Sequence, residues 1–100
     1  MTIQADNTFV QIPDWIVFTA SNTALKTYAV LMTHADRRTH GCYPSRRTIG
    51  TEAGMSDTTL DRAIKELVGI GALTVTRRKN PDTNEWTSNE YLLHTGPRTQ

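Results

Sequence analysis

The stretch CYPSRRTIGTEAGMSDTTLDRAIKEL, residues 42–67, decides the fold because it contains two short helical patterns around one glycine. Ser45 and Ser56 each precede one of these patterns, and serine is a preferred residue at a helix N-cap. Between the two patterns, Gly54 permits the left-handed backbone conformation that ends a helix sharply. The stretch therefore predicts two helices that meet at a tight turn.

Apolar residues recur at intervals of three and four in both patterns, which indicates the side of each helix that is buried. In the first helix, Ile49 and Ala53 share the inner face, and Met55 follows in the turn as an apolar plug. The inner residues of the second helix are Leu60, Ala63, Ile64 and Leu67. Gly71 ends this helix. Two short helices around a glycine turn, the second with a polar outer face, are typical of a helix-turn-helix.

The preceding segment, SNTALKTYAVLMTHADRRT, predicts a longer amphipathic helix. Ser21 is a suitable N-cap, and the helix is expected to run from about Asn22 to Arg38. Its expected inner residues are Leu25, Tyr28, Ala29, Leu31, Met32 and either Ala35 or Asp36. Before this helix, Phe9–Ile12 is compatible with a short strand, and Pro13 suits the first position of a short helical turn.

After Gly71 the apolar period changes from about 3.6 residues to 2, which is the period of a strand. ALTVTRRK and TSNEYLLH are two extended runs, separated by the turn-rich segment NPDTNEW. The expected inner residues of these runs are Leu73, Val75, Tyr91 and Leu93. Two such runs around a turn predict a β-hairpin. The predicted fold is mainly α with a small β-hairpin: a three-helix core plus a wing, with a short N-terminal strand.

Length and composition fit one small globular domain. The chain has 100 residues, 37% of them hydrophobic and 21% charged, which are ordinary globular values. We expect a domain over residues 9–95, with flexible ends at residues 1–8 and 96–100. One cysteine, Cys42, excludes an internal disulfide framework. No apolar run is long enough for a membrane span, and the first residues lack a secretory pattern. These features favour a cytoplasmic protein, associated with the nucleoid if it binds DNA.

Charge is distributed unevenly along the chain. Nine basic and four acidic residues lie between Arg37 and Lys79, so this part carries +5. The remainder has two basic and six acidic residues, so it carries −4, and the net charge is only +1. Such a distribution can present one basic face to a nucleic acid while the whole chain stays near neutral.

The residues from CYPSRRTIG to ALTVTRR, followed by TSNEYLL, resemble the winged helix-turn-helix domains of phage and plasmid replication-initiator and regulatory proteins. The resemblance covers roughly residues 9–94. It rests on a YPS entrance, a turn with glycine and serine, an R-A-I-x-x-L-x-x-x-G recognition helix and a T-S-N-x-Y wing strand. Gly50 departs from the pattern, because the family usually has alanine there. The acidic pair Asp57 and Asp61 on the recognition helix is a second departure.

The resemblance implies binding to double-stranded DNA, and the residue types on the predicted surface suit it. On the second helix of the helix-turn-helix, arginine can reach guanine, aspartate the cytosine amino group and threonine the thymine methyl. Basic residues at the start of its first helix and in the wing can contact phosphates. The candidate DNA-contacting residues are Ser45, Arg46, Arg47, Asp57, Thr58, Thr59, Asp61, Arg62, Lys65, Arg77, Arg78 and Lys79. Thr59 is expected to border the internal packing. Strand alternation places Arg78 on the face opposite Arg77 and Lys79.

The sequence gives little support to other kinds of site. His34, His40 and Cys42 lack a fourth ligand at useful spacing, so no metal is expected. No set of catalytic side chains stands out, and we expect neither an enzyme nor a cofactor or small-molecule ligand. Cys42 is expected to be a half-buried thiol without a base partner. Trp86 is compatible with a contact to a partner at the wing tip or with packing on its own hairpin.

Two classes of function follow. The first is sequence-specific DNA binding, by a transcriptional regulator or a replication-associated module of a bacterial phage, plasmid or similar element. Its partners would be double-stranded DNA, with a second copy of the chain on a palindromic site or a replication or transcription protein. The second is a protein–protein module, or an adaptor that targets another DNA-binding protein, because winged helices also serve assembly. Asp57, Asp61 and the low net charge favour this second class.

Overall fold

Residues 9–96, which the computed structural model describes, form four helices and three short strands. The elements in chain order are α1 Asp14–Thr19, α2 Asn22–His34, β1 Gly41–Cys42, α3 Arg46–Ala53, α4 Asp57–Gly69, β2 Leu73–Thr76 and β3 Glu90–Leu93. The helices α2, α3 and α4 pack on one another, and the sheet contacts α2 and α4. This is the predicted three-helix core with a wing. The predicted ends, residues 1–8 and 96–100, lie outside the described residues except for Gly96.

The three strands form one antiparallel sheet in the order β1-β3-β2. Tyr91 of the central strand pairs with Cys42 on one side and with Val75 on the other. Strand β1 was not predicted, because it has only two residues and no alternation of its own. The expected strand at Phe9–Ile12 is wrong, since this segment is irregular. The strands β1 and β2 occupy both edges of β3, so no edge of the central strand is left for it.

All three predicted serine caps are present. The hydroxyl oxygen of Ser21 accepts a hydrogen bond from the Ala24 amide at 3.4 Å. Ser45 and Ser56 do the same at the starts of α3 and α4, with the amides of the residues three positions later at 3.0 and 3.3 Å. These bonds satisfy amides that a helix start leaves without partners. Gly54 has the predicted left-handed backbone, with φ of 71°, and Gly71, just after α4, is left-handed as well, with φ of 84°.

The predicted end of α2 at Arg38 is wrong, because the helix ends at His34. The carboxylate of Asp36 accepts hydrogen bonds from the backbone amides of Arg38 at 2.7 Å and Thr39 at 3.2 Å. These backbone hydrogen bonds, that of Arg38 first, lower the pKa of Asp36. An aspartate that bonds the following backbone in this way favours a turn over a continued helix. Arg38 therefore lies in a turn.

The core is built where the helices meet the sheet. Its fully buried larger side chains include Ile16, Tyr28, Leu31, Ile49, Leu60, Leu67, Leu73, Tyr91 and Leu93. The buried face of α2 comprises Ala24, Thr27, Tyr28, Val30 and Leu31. Of the predicted inner residues of this helix, Leu25, Ala29, Met32 and Ala35 are only partly buried. The stripe is displaced because α2 packs against α3, α4 and β3 together.

A carboxylate on α4 also anchors the start of α2. The two oxygens of Glu66 accept hydrogen bonds from the backbone amide and the hydroxyl of Ser21, each at 2.6 Å. A negative charge is favourable at a helix N-terminus, where the helix dipole is positive. The helices α2 and α4 are thus joined by two hydrogen bonds as well as by their apolar faces.

Two buried tyrosines provide a matched test of the core. The hydroxyl of Tyr28 donates to the carbonyl oxygen of His94 at 3.0 Å, whereas that of Tyr91 has no hydrogen-bond partner within residues 9–96. Tyr28→Phe should lower the free energy of unfolding by about 1 kcal/mol, because a bond is lost and a carbonyl is left unpaired. Tyr91→Phe should leave stability unchanged or raise it slightly. Urea unfolding of both variants measures this, and equal losses would contradict it.

Candidate nucleic-acid interface

The outer face of α4 presents polar and charged side chains, as predicted. Its first residue is Asp57, and the capping serine fixes the start of the helix. Asp57, Thr58, Arg62 and Lys65 are exposed, and Asp61 is half-buried. On the opposite side, Leu60, Ala63, Ile64 and Leu67 are buried. The apolar spacing thus fixes which side chains of this helix can reach a partner.

Asp61 connects α3 and α4 at the surface. Its carboxylate lies 3.0 Å from the ammonium of Lys65 on the same helix and 3.8 Å from the guanidinium of Arg46 at the start of α3. Ion pairs of this exposure contribute little stability. They do show that the entrance of α3 and the outer face of α4 form one continuous surface. Asp61, one of the candidate DNA-contacting residues, therefore lies between two cations.

The remaining candidate residues of α3 and α4 differ in whether their side chains already have hydrogen-bond partners. The hydroxyl of Ser45 donates to Thr48 Oγ1 at 3.0 Å and accepts from the Thr48 amide, so capping occupies it. Thr59 is half-buried, and its hydroxyl accepts from Ser56 at 3.1 Å, which agrees with the expectation that it borders the packing. Arg47 is exposed. Among residues 9–96 it takes part in no ion pair.

The wing holds its three cations against two exposed aromatic rings. The guanidinium of Arg77 lies 4.0 Å from the ring centre of Trp86, and the ammonium of Lys79 lies 4.9 Å from it. The guanidinium of Arg78 lies 4.5 Å from the ring centre of Tyr43 instead. The predicted separation of Arg78 from its two neighbours is therefore present. At an exposed site such a contact is worth about 0.5–1 kcal/mol.

Tyr43 belongs to this surface although it was not among the predicted residues. This residue is 54% exposed and lies between β1 and the cap of α3. Its hydroxyl donates to Glu90 Oε2 on β3 at 3.4 Å. The available signal was its place in the YPS entrance. Trp86 packs on its own hairpin, which was one of the two expectations for it, and it is still 55% exposed.

The wing contains an irregularity close to these cations. Thr76 pairs with Glu90, and beyond them Lys79 pairs with Trp86. Thr76 and Lys79 are three positions apart, whereas their partners Glu90 and Trp86 are four positions apart. The side of the hairpin that leads into β3 therefore carries one extra residue. An extra residue of this kind bends a strand and increases its local twist. The Arg77 to Lys79 run thus lies where the hairpin departs from a regular ladder.

The histidines and the cysteine make other contacts. The Nε2 atom of His34 lies 2.6 Å from Glu52 Oε1. The buried thiol of Cys42 contacts the Leu31 carbonyl at 3.6 Å, and burial raises its pKa to about 11. In the described part of the chain, no three of its His, Cys, Asp and Glu side chains are grouped to hold a metal ion. No helix there is long and apolar enough to cross a membrane.

Three helices, a glycine turn and a hairpin behind the last helix define a winged helix. The chain belongs to the helix-turn-helix domain family, whose model matches residues 21–71. Its fold is similar to that of a chain in a solved structure described as "Structure of Rep-DNA complex". The TM-score is 0.68 and the identity 17%, over 100% of this chain and 88% of that one. No curated protein matches the chain. The resemblance to winged helix-turn-helix domains is therefore confirmed.

Proposed function

We propose that this protein binds double-stranded DNA through the entrance of α3, the outer face of α4 and the wing. The observation that carries the proposal is the continuity of these three parts. Asp61 joins Arg46 to Lys65, and Tyr43 brings Arg78 toward the same entrance. Membership in the helix-turn-helix domain family supports DNA as the partner.

The proposed division of labour follows the position of each side chain. Arg62 and Thr58 are exposed on the helix that enters the major groove in domains of this architecture, so they are proposed to contact base edges. The cations of the wing and of the α3 entrance are proposed to contact phosphates, which orient a protein on the duplex without reading sequence. Asp57 and Asp61 would disfavour bases that present acceptors and accept from a cytosine amino group.

A replication-associated role is the finer proposal, with a transcriptional regulator as its alternative. It is supported by the fold of the chain described as part of a Rep–DNA complex, and by the resemblance of the YPS entrance and the wing strand. Both roles would operate in the cytoplasm on the DNA of a phage, plasmid or similar element. The chain would act as a monomer or as two copies on a palindromic site. Selection of bound sequences from random duplexes, followed by their location in a replicon or promoter, separates the two roles.

Salt dependence provides the direct test of DNA binding. With about four phosphates neutralised per protomer, the logarithm of affinity should fall with the logarithm of salt concentration with a slope of roughly −3.5. Replacing Arg77 and Arg78 with alanine should weaken binding to every duplex similarly and flatten the slope by about one to two units. Fluorescence anisotropy with a labelled duplex measures both quantities.

A protein partner is the second candidate function. The observation in its favour is the exposure of large apolar side chains far from the basic surface in sequence, with Phe9 at 78% and Phe18 at 86% exposed. Absence of binding to any duplex at low salt would sink the DNA proposal, and a slope that does not change in the wing variant would exclude the wing from the contact. Either result would favour binding to a protein partner over binding to DNA.

A further inference from the structure

The cations of the wing lie against aromatic rings and not against carboxylates in the described part of the chain. Arg77 and Lys79 lie over Trp86, and Arg78 lies over Tyr43. Among residues 9–96 none of the three takes part in an ion pair. Both rings are more than half exposed, so burial in the core does not explain where they lie.

We infer that Tyr43 and Trp86 are positioning residues that hold the wing cations ready for phosphate. The inference rests on the proposed DNA binding and adds two residues to it. An arginine stacks on a ring through the flat face of its guanidinium, whereas its N–H donors lie in the plane of that group. The stacked group therefore keeps its donors free for a phosphate. An arginine paired with a carboxylate would have used them.

Stacking also restricts side chains that would otherwise sample many rotamers. Arginine and lysine each lose considerable rotamer entropy when a ligand fixes them. A side chain that already leans on a ring has lost part of this freedom before the ligand arrives, so less is lost on binding. The rings should strengthen binding without touching DNA themselves.

Tyr43 has a particular consequence for the direction of the wing. It lies two positions before Ser45, and its hydroxyl contacts Glu90 of the central strand. Arg78 is thereby linked to the entrance of α3, where Arg46 and Arg47 begin the helix. Arg77 and Lys79 instead lie over the ring of Trp86, which belongs to the hairpin itself and pairs with Lys79. Tyr43 thus assigns Arg78 to the phosphates that the α3 entrance contacts.

The test uses variants that separate the ring from the bulk of the side chain. Tyr43→Leu keeps apolar bulk but removes the π face, and should weaken binding to a duplex of arbitrary sequence about two- to five-fold. Tyr43→Phe keeps the ring and removes only the hydroxyl that contacts Glu90, so it should lose less affinity than Tyr43→Leu. In an Arg78→Ala background, Tyr43→Leu should cause no additional loss, because the ring acts through Arg78. Trp86→Leu should behave in the same way when Arg77 and Lys79 are both alanine.

A second measurement reports the stacking without DNA. The δ protons of Arg78 should be shifted upfield in the NMR spectrum by the ring of Tyr43, and this shift should vanish in Tyr43→Leu. An unshifted resonance in the wild type would overturn the inference, as would additive losses in the double variant. Failure of the wild type to bind duplex DNA at low salt would instead overturn the proposed function, and the role inferred for both rings with it.

Discussion

Replacing Leu60 with alanine should lower the free energy of unfolding by about 2–5 kcal/mol, the usual cost of a large-to-small change in a core. Leu60 is completely buried. A Cβ placed on Gly50 would lie 3.7 Å from its Cδ2 atom, so the leucine fills the space where α3 meets α4. The loss would be a large part of the stability expected of a domain this small.

Val68→Ala is the matched control for this change, because Val68 lies on the same helix but is 46% exposed. It should cost much less. Urea unfolding followed by circular dichroism gives both values, provided that the two variants unfold with the same denaturant slope. Comparable losses for the two variants would mean that α4 turns a different face to the core.

Replacing Arg62 with alanine should weaken specific DNA binding by about 1–3 kcal/mol, the range measured for a bidentate contact between arginine and guanine. Arg62 is exposed on the outer face of α4. It has no ion-pair partner within residues 9–96, so its donors are available. Lys65→Ala should cost less, because Lys65 already neutralises Asp61 at 3.0 Å.

Competition between a selected duplex and a scrambled one measures the effect. The loss for Arg62→Ala should be concentrated on the selected duplex, whereas a change at a phosphate contact would affect both duplexes. Equal losses on the two duplexes would remove Arg62 from base recognition and leave it a phosphate contact.

The helix-turn-helix could be predicted because its determinants are local. Ser45 and Ser56 cap helices by accepting hydrogen bonds from amides three positions later. Gly54 adopts the left-handed backbone conformation that glycine favours. The inner face of α4 follows from spacing alone. Features that depend on residues far apart in sequence could not be found in this way. They include β1, whose residue Cys42 pairs with Tyr91.

The same distinction between local and distant contacts applies to the candidate site. Exposure of Arg62 on α4 followed from periodicity, but the ion pair between Arg46 and Asp61 joins two helices and needs their packing angle. Stacking of Arg78 on Tyr43 joins the wing to the segment before α3. Both contacts join residues that lie far apart in sequence. The early end of α2 was missed because a side chain, that of Asp36, competes with the helix for backbone amides.

The two hydrogen bonds between Glu66 and Ser21 oppose rotation of α4, the helix that carries Arg62. Glu66 lies one helical turn after Arg62 and accepts two short hydrogen bonds from Ser21 at the start of α2. Rotation of α4 about its long axis would break both hydrogen bonds and leave the backbone amide of Ser21, at the start of α2, without this partner. The orientation of Arg62 is therefore supported by the start of another helix as well as by the buried face of α4. A substitution at Ser21, remote from the basic surface, would weaken that support.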